Sequence, residues 1–363
     1  MVRTVVSKIA IIPGDGIGKE VMKEAIKVLN VLESDYYLNV AYDVFDWGSD
    51  YYIENNRMLP DNGLEKLKNY DAILLGAVGD NRVPDDIPVW ELIMPIRKTF
   101  QQYVNFRPVK QLKGVESPLS SSQSEKIDFV IMRENSEGEY SDSGGLMFQG
   151  QDKEMAIQNS IFTKQGIKNI AEFAFDYARR HDYRKVTSAT KSNAITHTMK
   201  FWDKEVGEIA ESHSDIEYEK VYVDALAAKF VQQPEEFQVV LASNLFGDIL
   251  SDLGSSVAGG LGISPSANIN PSGEFPSMFE PVHGSAPDIA GKGLANPIAQ
   301  VWSLALLLEH IGRKDLHDHI LKAIEKLLSD KSKVTKDIGG SASTEETGDE
   351  LMKILRDNKV GIT

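Results

Sequence analysis

The sequence predicts an α/β protein, with a largely parallel sheet covered by helices on both faces. Short runs of aliphatic and β-branched residues recur along the chain, and several are hydrophobic at nearly every position, as strands buried on both faces must be. Between them lie stretches whose apolar residues recur at helical spacing. The length of 363 residues is enough for two domains or one large α/β unit with a sizeable core.

In chain order, "KIAII" reads as the first strand and leads through a glycine turn into "KEVMKEAIKVLNVLES". There Val21, Ala25, Val28, Leu29 and Leu32 share one helical face. "DAILLGAVG", "DFVIMREN", "KVTSATKSN", "YEKVYVDAL" and "FQVVLASNLFGD" read as further strands. Residues 138–162 differ: they are rich in Gly and Ser, with two β-like halves around the Gly150-Gln151 turn, and predict a hairpin arm. "SSSQSEK" (120–126) reads as a polar surface loop. Near the end, Ser343 and Glu346 predict a capping box ahead of an amphipathic helix.

The net charge of -15 argues against sequence-independent binding to nucleic acid, which needs a basic face. A small anionic ligand must then be met by a local cluster of Arg and Lys. The chain has no Cys, so disulfides, zinc–thiolate sites and thiol catalysis are excluded, and a reducing, cytoplasmic setting is expected. The N-terminal run is broken by Lys8 and carries no small-residue cleavage site, unlike a signal peptide. "PIAQVWSLALLLEHIG" is too short and too interrupted to span a bilayer.

"IIPGDGIGKEV" invites a dinucleotide-binding reading, and Glu33 and Asp35 lie at about the distance of a ribose carboxylate. Gly14, Gly16 and Gly18, however, are spaced G-x-G-x-G, which misplaces the third glycine for that fingerprint. A tight turn between strand and helix is the simpler expectation. More telling are Asp248 and Asp252, four apart just past an apolar strand. On a helix they share one face, where two carboxylates repel unless water or a cation separates them. Oxygen ligands alone suit Mg²⁺ or Mn²⁺. The competing expectation is one capping and one exposed aspartate.

Basic residues weigh in favour of a site. Arg107 is fixed by Pro108, and Arg133 closes an apolar strand; with Arg97 they could hold carboxylates in a bidentate fork. Lys191 also follows a strand and is a candidate base, and Tyr140 a candidate general acid. An ordinary amphipathic tyrosine in the arm is the alternative for Tyr140.

"PGDGIGKEV", "RENSEGEY", "SNLFGDILSDL" and "FEPVHGSAPDIAGKGLANP" together resemble the β-decarboxylating dehydrogenases, which act on isopropylmalate, isocitrate, homoisocitrate, tartrate or D-malate. The resemblance runs almost end to end, with the motifs in order. It implies an isopropylmalate/isocitrate dehydrogenase-like bilobal fold with a non-Rossmann cofactor site. A discontinuous large domain would cover 1–104 and 262–363, and a second domain with the dimerisation arm 105–261. It implies that Arg97, Arg107 and Arg133 clamp the malate moiety, and that Asp248, Asp252 and the partner's Asp224 hold Mg²⁺ or Mn²⁺. Lys191 would also cross the homodimer interface. An accessory K⁺ stays open.

By the same resemblance, His283, Gly284, Ser285 and Ala286 pass under the adenosine of the cofactor and Asn296 contacts its adenine. A carboxylate at Asp288 accepts ribose hydroxyls and repels a 2′-phosphate, which favours NAD over NADP. The glycines of "GDGIG" then build the cleft rather than grip the pyrophosphate. In the implied reaction Lys191 takes the hydroxyl proton, hydride leaves C2, CO₂ departs and Tyr140 protonates the enol carbon.

Specificity is expected in "VPDDIPVWELIMPIRK". Isocitrate enzymes place Ser and Asn where this chain has Glu91 and Ile93, and a carboxylate there would repel the third carboxylate of isocitrate. Isopropylmalate enzymes carry "ETGLL"; here the stretch is "WELIM", apolar at Ile93 and Met94 but with bulky Trp90, and with Pro95 altering the helix. "NFRPVKQLKGVESPL" and "ATKSNAITHTMKFWD" resemble the tartrate/D-malate branch. D-malate or tartrate oxidation is the expectation, with 3-isopropylmalate dehydrogenase as the alternative. A non-catalytic subunit on this fold is a third reading, disfavoured because every charged site residue is present.

Overall fold

The structure, a computed structural model, describes residues 6–120 and 124–357. The strands, in chain order, are β1 (Ser7–Gly14), β2 (Val40–Val44), β3 (Ala72–Ala77), β4 (Val104–Lys110), β5 (Asp128–Glu134) and β6 (Gly144–Met147). They continue with β7 (Met155–Gln158), β8 (Lys185–Thr190), β9 (Glu217–Tyr222), β10 (Val239–Ala242), β11 (Pro265–Ile269) and β12 (Ser277–Pro281). Of the polar loop expected at 120–126, residues 121–123 lie outside the described residues, as do residues 1–5 of the N-terminal run.

The chain forms two compact units. The first takes the described residues up to Gln102, those of 110–125 and those from Ser255 onward. Its strands run β2-β1-β3-β12-β11, parallel except that β11 is antiparallel to β12. β3 is buried at every position, which explains why its sequence does not alternate. The helix Ile298–His310 is buried from Ile298 to Leu308 and packs on this sheet. It is apolar on nearly every face because it is covered all round, and its buried Gln300 and Ser303 are hydrogen-bonded to Leu75 O and Ala299 O. No described helix is long and apolar enough to cross a membrane. A core of Ile12, Leu75, Leu92, Ile96, Phe100 and Met278 lies against the sheet. Truncating Phe100 there would cost about 3–5 kcal/mol.

The helix Gly18–Tyr36 buries Val21, Ala25, Val28, Leu29 and Leu32, the face expected from their spacing, and packs on the helix Thr344–Asp357. The expected capping box starts that second helix. Ser343 N–H donates to Glu346 Oε2 at 2.8 Å, and Glu346 N–H donates to Ser343 Oγ at 3.2 Å.

The second unit takes Tyr103–Val109 and Lys126–Gly254. Its strand order is β4-β5-β10-β8-β9, with β5, β10, β8 and β9 mutually parallel. Val186 and Val130 both register with Val239, so the carboxyl ends of three neighbouring strands come together. In open α/β sheets that edge is where ligands bind. The arm is a hairpin: β6 and β7 pair antiparallel through Gly145↔Ile157 and Met147↔Met155, and Gly138 bridges Ile161. All eight strand residues of the hairpin are exposed.

Candidate active site

The carboxyl edge of the second unit assembles the first cluster. Arg133 is the last residue but one of β5, and Asp248 lies in the helix Asn244–Val257, which starts two residues after β10. Neither Asp248 nor Asp252 is the helix cap. Asn244, Asp248 and Asp252 stand four apart, so one face of the helix carries all three.

Arg133 is 2 % exposed. Its Nε and one terminal nitrogen both donate to Asn244 Oδ1, at 3.1 and 2.7 Å, and its other terminal nitrogen donates to Asp248 Oδ1. Its guanidinium also lies over the Tyr140 ring, 5.4 Å from the centroid. Tyr140 Oη donates to Asp248 Oδ2 at 2.7 Å. Burial and then the Asp248 carboxylate push the Tyr140 phenol up to about 12, against the pull of Arg133 and Arg107. It is therefore protonated at neutral pH and can donate.

Arg107, on β4, is buried and donates to Ser251 Oγ at 2.5 Å. It stands 3.4 Å from Asp248 Oδ1 and 3.7 Å from Asp252 Oδ1. Desolvation, assisted by the Asp248 carboxylate, raises the Asp252 carboxyl above its ordinary pKa, while Arg107 lowers it. Asp252 is the most open member of the cluster, with its side chain 57 % exposed.

The structure thus brings together Arg107, Arg133, Tyr140, Asp248 and Asp252. Lys191 and Asp224 form a separate pair, Nζ to Oδ1 at 2.6 Å. Lys191 follows β8, and Asp224 stands in the first turn of the helix Val223–Gln232. The hydrogen bond from Lys191 holds the Asp224 carboxyl below its usual range.

Sequence reasoning missed the residues that hold this cluster in place. Of the three acids of "RENSEGEY", one ties its own loop and the other two each grip a different helix. Glu134, 1 % exposed, accepts from Ser136 and from Glu137 N–H, and burial raises its carboxyl to about 7. Glu137 accepts from Thr163 N–H and Oγ, both at 2.8 Å, at the start of the helix Lys164–Arg180. Glu139 accepts from Ser243 Oγ and Leu245 N–H at the start of Asp248's helix. Asn244 adds a donor to Glu137 O at 3.0 Å. Gly247 gives Arg133 its room: a Cβ there would lie 2.6 Å from the Cβ and Cγ of Arg133. One sequence signal could have flagged Asn244, its place in the same four-residue stripe as the two aspartates.

The remaining residues belong to the first unit. Arg97, in the helix Met94–Thr99, donates to Glu280 Oε1 at 2.8 Å, which also accepts from Asn268 at 2.7 Å. Its Nε is buried without a partner. The segment before it winds as a π-turn over Val89–Ile93, closed by the bond from Met94 N–H to Val89 O. Pro95 has no N–H to give Glu91 the ordinary helical bond, so the chain widens there. Lys98 Nζ sits 5.2 Å from the Trp90 ring centre. Ile93 and Glu91 are half-buried, and Met94 is buried.

The segment after β12 is tied to the first strand and helix. Ile17 N–H donates to Ser285 O at 2.9 Å. Glu20 accepts from the amides of Gly291 and Gly293. Ile17 and Val21 pack with Ala286, Ile289, Ala290 and Ala295. Gly16 has φ +53°, and a side chain there would overlap Ser285 O. The Gly turn therefore meets the chain's own backbone. Asp288 is exposed, and its carbonyl accepts from Lys292. Asn296 is buried; its amide donates to Asp337 at 3.0 Å and accepts from Ile298 N–H.

Two features bear on absent groups. His283 Nδ1 lies 3.0 Å from Gly284 O, which makes it the protonated nitrogen, and burial pushes the imidazolium pKa down. Its Nε2 is then a bare, buried acceptor with no partner, as a hydroxyl-bearing cofactor could use. Asp248 and Asp252 offer oxygen donors alone, which fits Mg²⁺ or Mn²⁺. Among the described residues no three carboxylate or histidine side chains of one chain converge as a metal site.

The profile of a family described as isocitrate/isopropylmalate dehydrogenase matches residues 8–351. A tartrate dehydrogenase/decarboxylase of Pseudomonas putida is 50% identical over 349 residues, covering 94% of this chain and 95% of that one. A D-malate dehydrogenase (decarboxylating) of Escherichia coli strain K12 is 46% identical over 355 residues, covering 96% and 98%. Among solved structures, isocitrate dehydrogenase from Methylococcus capsulatus superposes with TM-score 0.88 at 32% identity, covering 97% of this chain and 100% of that one. The chain belongs to the isocitrate/isopropylmalate dehydrogenase family and is an oxidative, decarboxylating dehydrogenase.

Proposed function

We propose that the protein converts D-malate and NAD⁺ to pyruvate, CO₂ and NADH, and oxidises tartrate at the same site. The observation that carries this reading is the cluster of Arg107, Arg133 and Tyr140 around Asp248, in a chain about half identical to a tartrate dehydrogenase/decarboxylase. Two guanidinium groups and a protonated phenol suit a small dicarboxylate that must lose CO₂ and gain a proton.

Arg107 and Arg133 bind the substrate carboxylates, and Arg97 is the third guanidinium of the clamp. Asp248 and Asp252, with the partner's Asp224, hold the divalent cation. The groups so bound supply charge stabilisation at the reacting oxygens and a hydride acceptor. Lys191, contributed across a homodimer, takes the proton of the 2-hydroxyl. Tyr140 Oη delivers a proton to the enol carbon after CO₂ leaves. His283–Ala286 would hold NAD, with Asp288 accepting from its ribose and Asn296 meeting its adenine. Trp90, Ile93 and Met94 shape the pocket beyond C3.

The dimer rests on the hairpin. Leu146, Met147, Phe148, Met155, Ile157 and Ile161 are all exposed. A two-stranded hairpin is marginal in water without a third layer. Pairing with the same arm of a second copy covers both.

The test is NADH formation by purified protein with Mn²⁺, comparing D-malate, L-tartrate and 3-isopropylmalate, with NADP⁺ as the control cofactor. Turnover of D-malate or tartrate with NAD⁺ is expected. A preference for 3-isopropylmalate would keep the reaction class and refute the substrate. No turnover of any of the three would refute the reading.

A further inference from the structure

We propose that Asp15 is a positioning residue for the cofactor loop; this rests on the reading that NAD lies along His283–Ala286. Asp15 is the acid of the "GDGIG" turn, and neither the clamp nor the cation site uses it. It is 3 % exposed, and both its oxygens are occupied. Oδ1 accepts from Ser49 N–H at 2.7 Å. Oδ2 accepts from Ser49 Oγ at 2.7 Å and from Gly79 N–H at 2.9 Å. One carboxylate therefore ties together the segments that follow β1, β2 and β3.

The tie is close on every side. Asp15 N–H donates to Ala77 O at 2.7 Å, and a Cβ on Gly48 would lie 2.8 Å from Asp15 Oδ1. The turn so fixed offers Ile17 N–H to Ser285 O, and Gly16 lies against that same carbonyl. A Cβ on Gly79 would come within 3.3 Å of Ser285 Oγ. The Asp15 clamp thus bonds to Ser285 on one side, through Ile17 N–H, and leaves no spare room beside it at Gly79 on the other. In a parallel sheet, the turn after the first strand is where a dinucleotide pyrophosphate would ordinarily be met by backbone N–H groups. Here the Asp15 carboxylate takes the neighbouring N–H groups of Ser49 and Gly79 and so holds the turn that carries the cofactor loop.

The measurement pairs amide hydrogen exchange on the protein without cofactor with NADH binding by fluorescence. Asp15→Asn keeps the volume but cannot accept from all three donors. It is expected to speed exchange at Gly79 and Ile17 and to weaken NADH binding by about tenfold or more, as stranded buried donors do. In turnover, KM for NAD⁺ should rise while KM for the hydroxy acid stays. If Asp15→Asn does not fold, Ser49→Ala removes one of the three bonds and is read the same way. Faster exchange with unchanged NADH affinity would overturn the role of Asp15 alone. Wild-type protein that binds neither NADH nor NADPH would overturn the cofactor assignment and this inference with it.

Discussion

Tyr140 Oη donates to Asp248 Oδ2 at 2.7 Å, so the proposed proton donor rests on a proposed cation ligand. With its pKa held up to about 12, the phenol keeps its proton through the neutral range. Tyr140→Phe should leave hydride transfer largely intact and slow the later protonation by about 10²–10⁴-fold. Single-turnover NADH formation, followed beside release of pyruvate, separates the two steps. Equal slowing of both would remove Tyr140 from the acid role.

Gly247 offers a sharper probe of Arg133. It lies inside a helix, where alanine is intrinsically favoured by about 1 kcal/mol. A methyl there nevertheless meets the stem of Arg133 at 2.6 Å. Gly247→Ala should therefore lower the melting temperature, because overpacking costs about 1–3 kcal/mol, and also raise KM for the hydroxy acid. A lower melting temperature with an unaltered KM would mean that the glycine serves packing alone.

In the proposed reading, Asp288 sets the cofactor preference. A carboxylate accepting ribose hydroxyls contributes about 1.5–3 kcal/mol as a charge-assisted hydrogen bond. Asp288→Ala should lower kcat/KM for NAD⁺ by about 10–100-fold and leave NADP⁺ unchanged or improved. Equal losses with both cofactors would place Asp288 outside the ribose site.

Glu134 gives the fold a pH dependence. Its carboxyl titrates near 7 in the folded protein and at its ordinary value near 4.5 when unfolded. Between those values the folded chain binds more protons, so stability is greatest below the lower one and falls as pH rises through the upper. The loss is on the order of 3 kcal/mol. Melting curves from pH 5 to 8 should slope downward, and the slope should flatten in Glu134→Gln. Parallel curves for the two proteins would contradict this.

The hairpin predicts the assembly. Leu146→Asp and Ile157→Asp place a charge on each of its faces, since Leu146 pairs with Ala156 and Ile157 with Gly145. Sedimentation should show the doubly substituted protein as a monomer that no longer turns over substrate. A catalytically competent monomer would show that the site is complete within one chain.

Much of this was legible because periodicity reports burial. The strand at 72–77 and the helix at 18–36 announced themselves by which positions are apolar, and Ser343 with Glu346 by a local reciprocal bond. Arg133 and Asp248 were legible as charged groups at a strand end and on a helix face, and Tyr140 as a phenol in the arm that follows. Their supports were not. Glu139 grips a helix 104 residues onward through Ser243, and Glu280 meets Arg97 from 183 residues away. Gly247 matters through a space that only the folded Arg133 defines. The π-turn at Val89–Ile93 hid behind a segment that otherwise reads as helix, although Pro95 was its visible cause.

The pairing of Asp248 with Arg107 and Arg133 has a kinetic meaning of its own. This carboxylate pairs with the two guanidinium groups proposed for the substrate carboxylates, so on that proposal the enzyme carries an internal competitor. A dicarboxylate arriving alone must evict it and leave a half-buried anion without a counter-charge. One arriving with a divalent cation gives Asp248 a new partner at the same moment. On the proposed assignment the pocket would work as a coincidence detector, indifferent to a free dicarboxylate and responsive to the anion and the cation together.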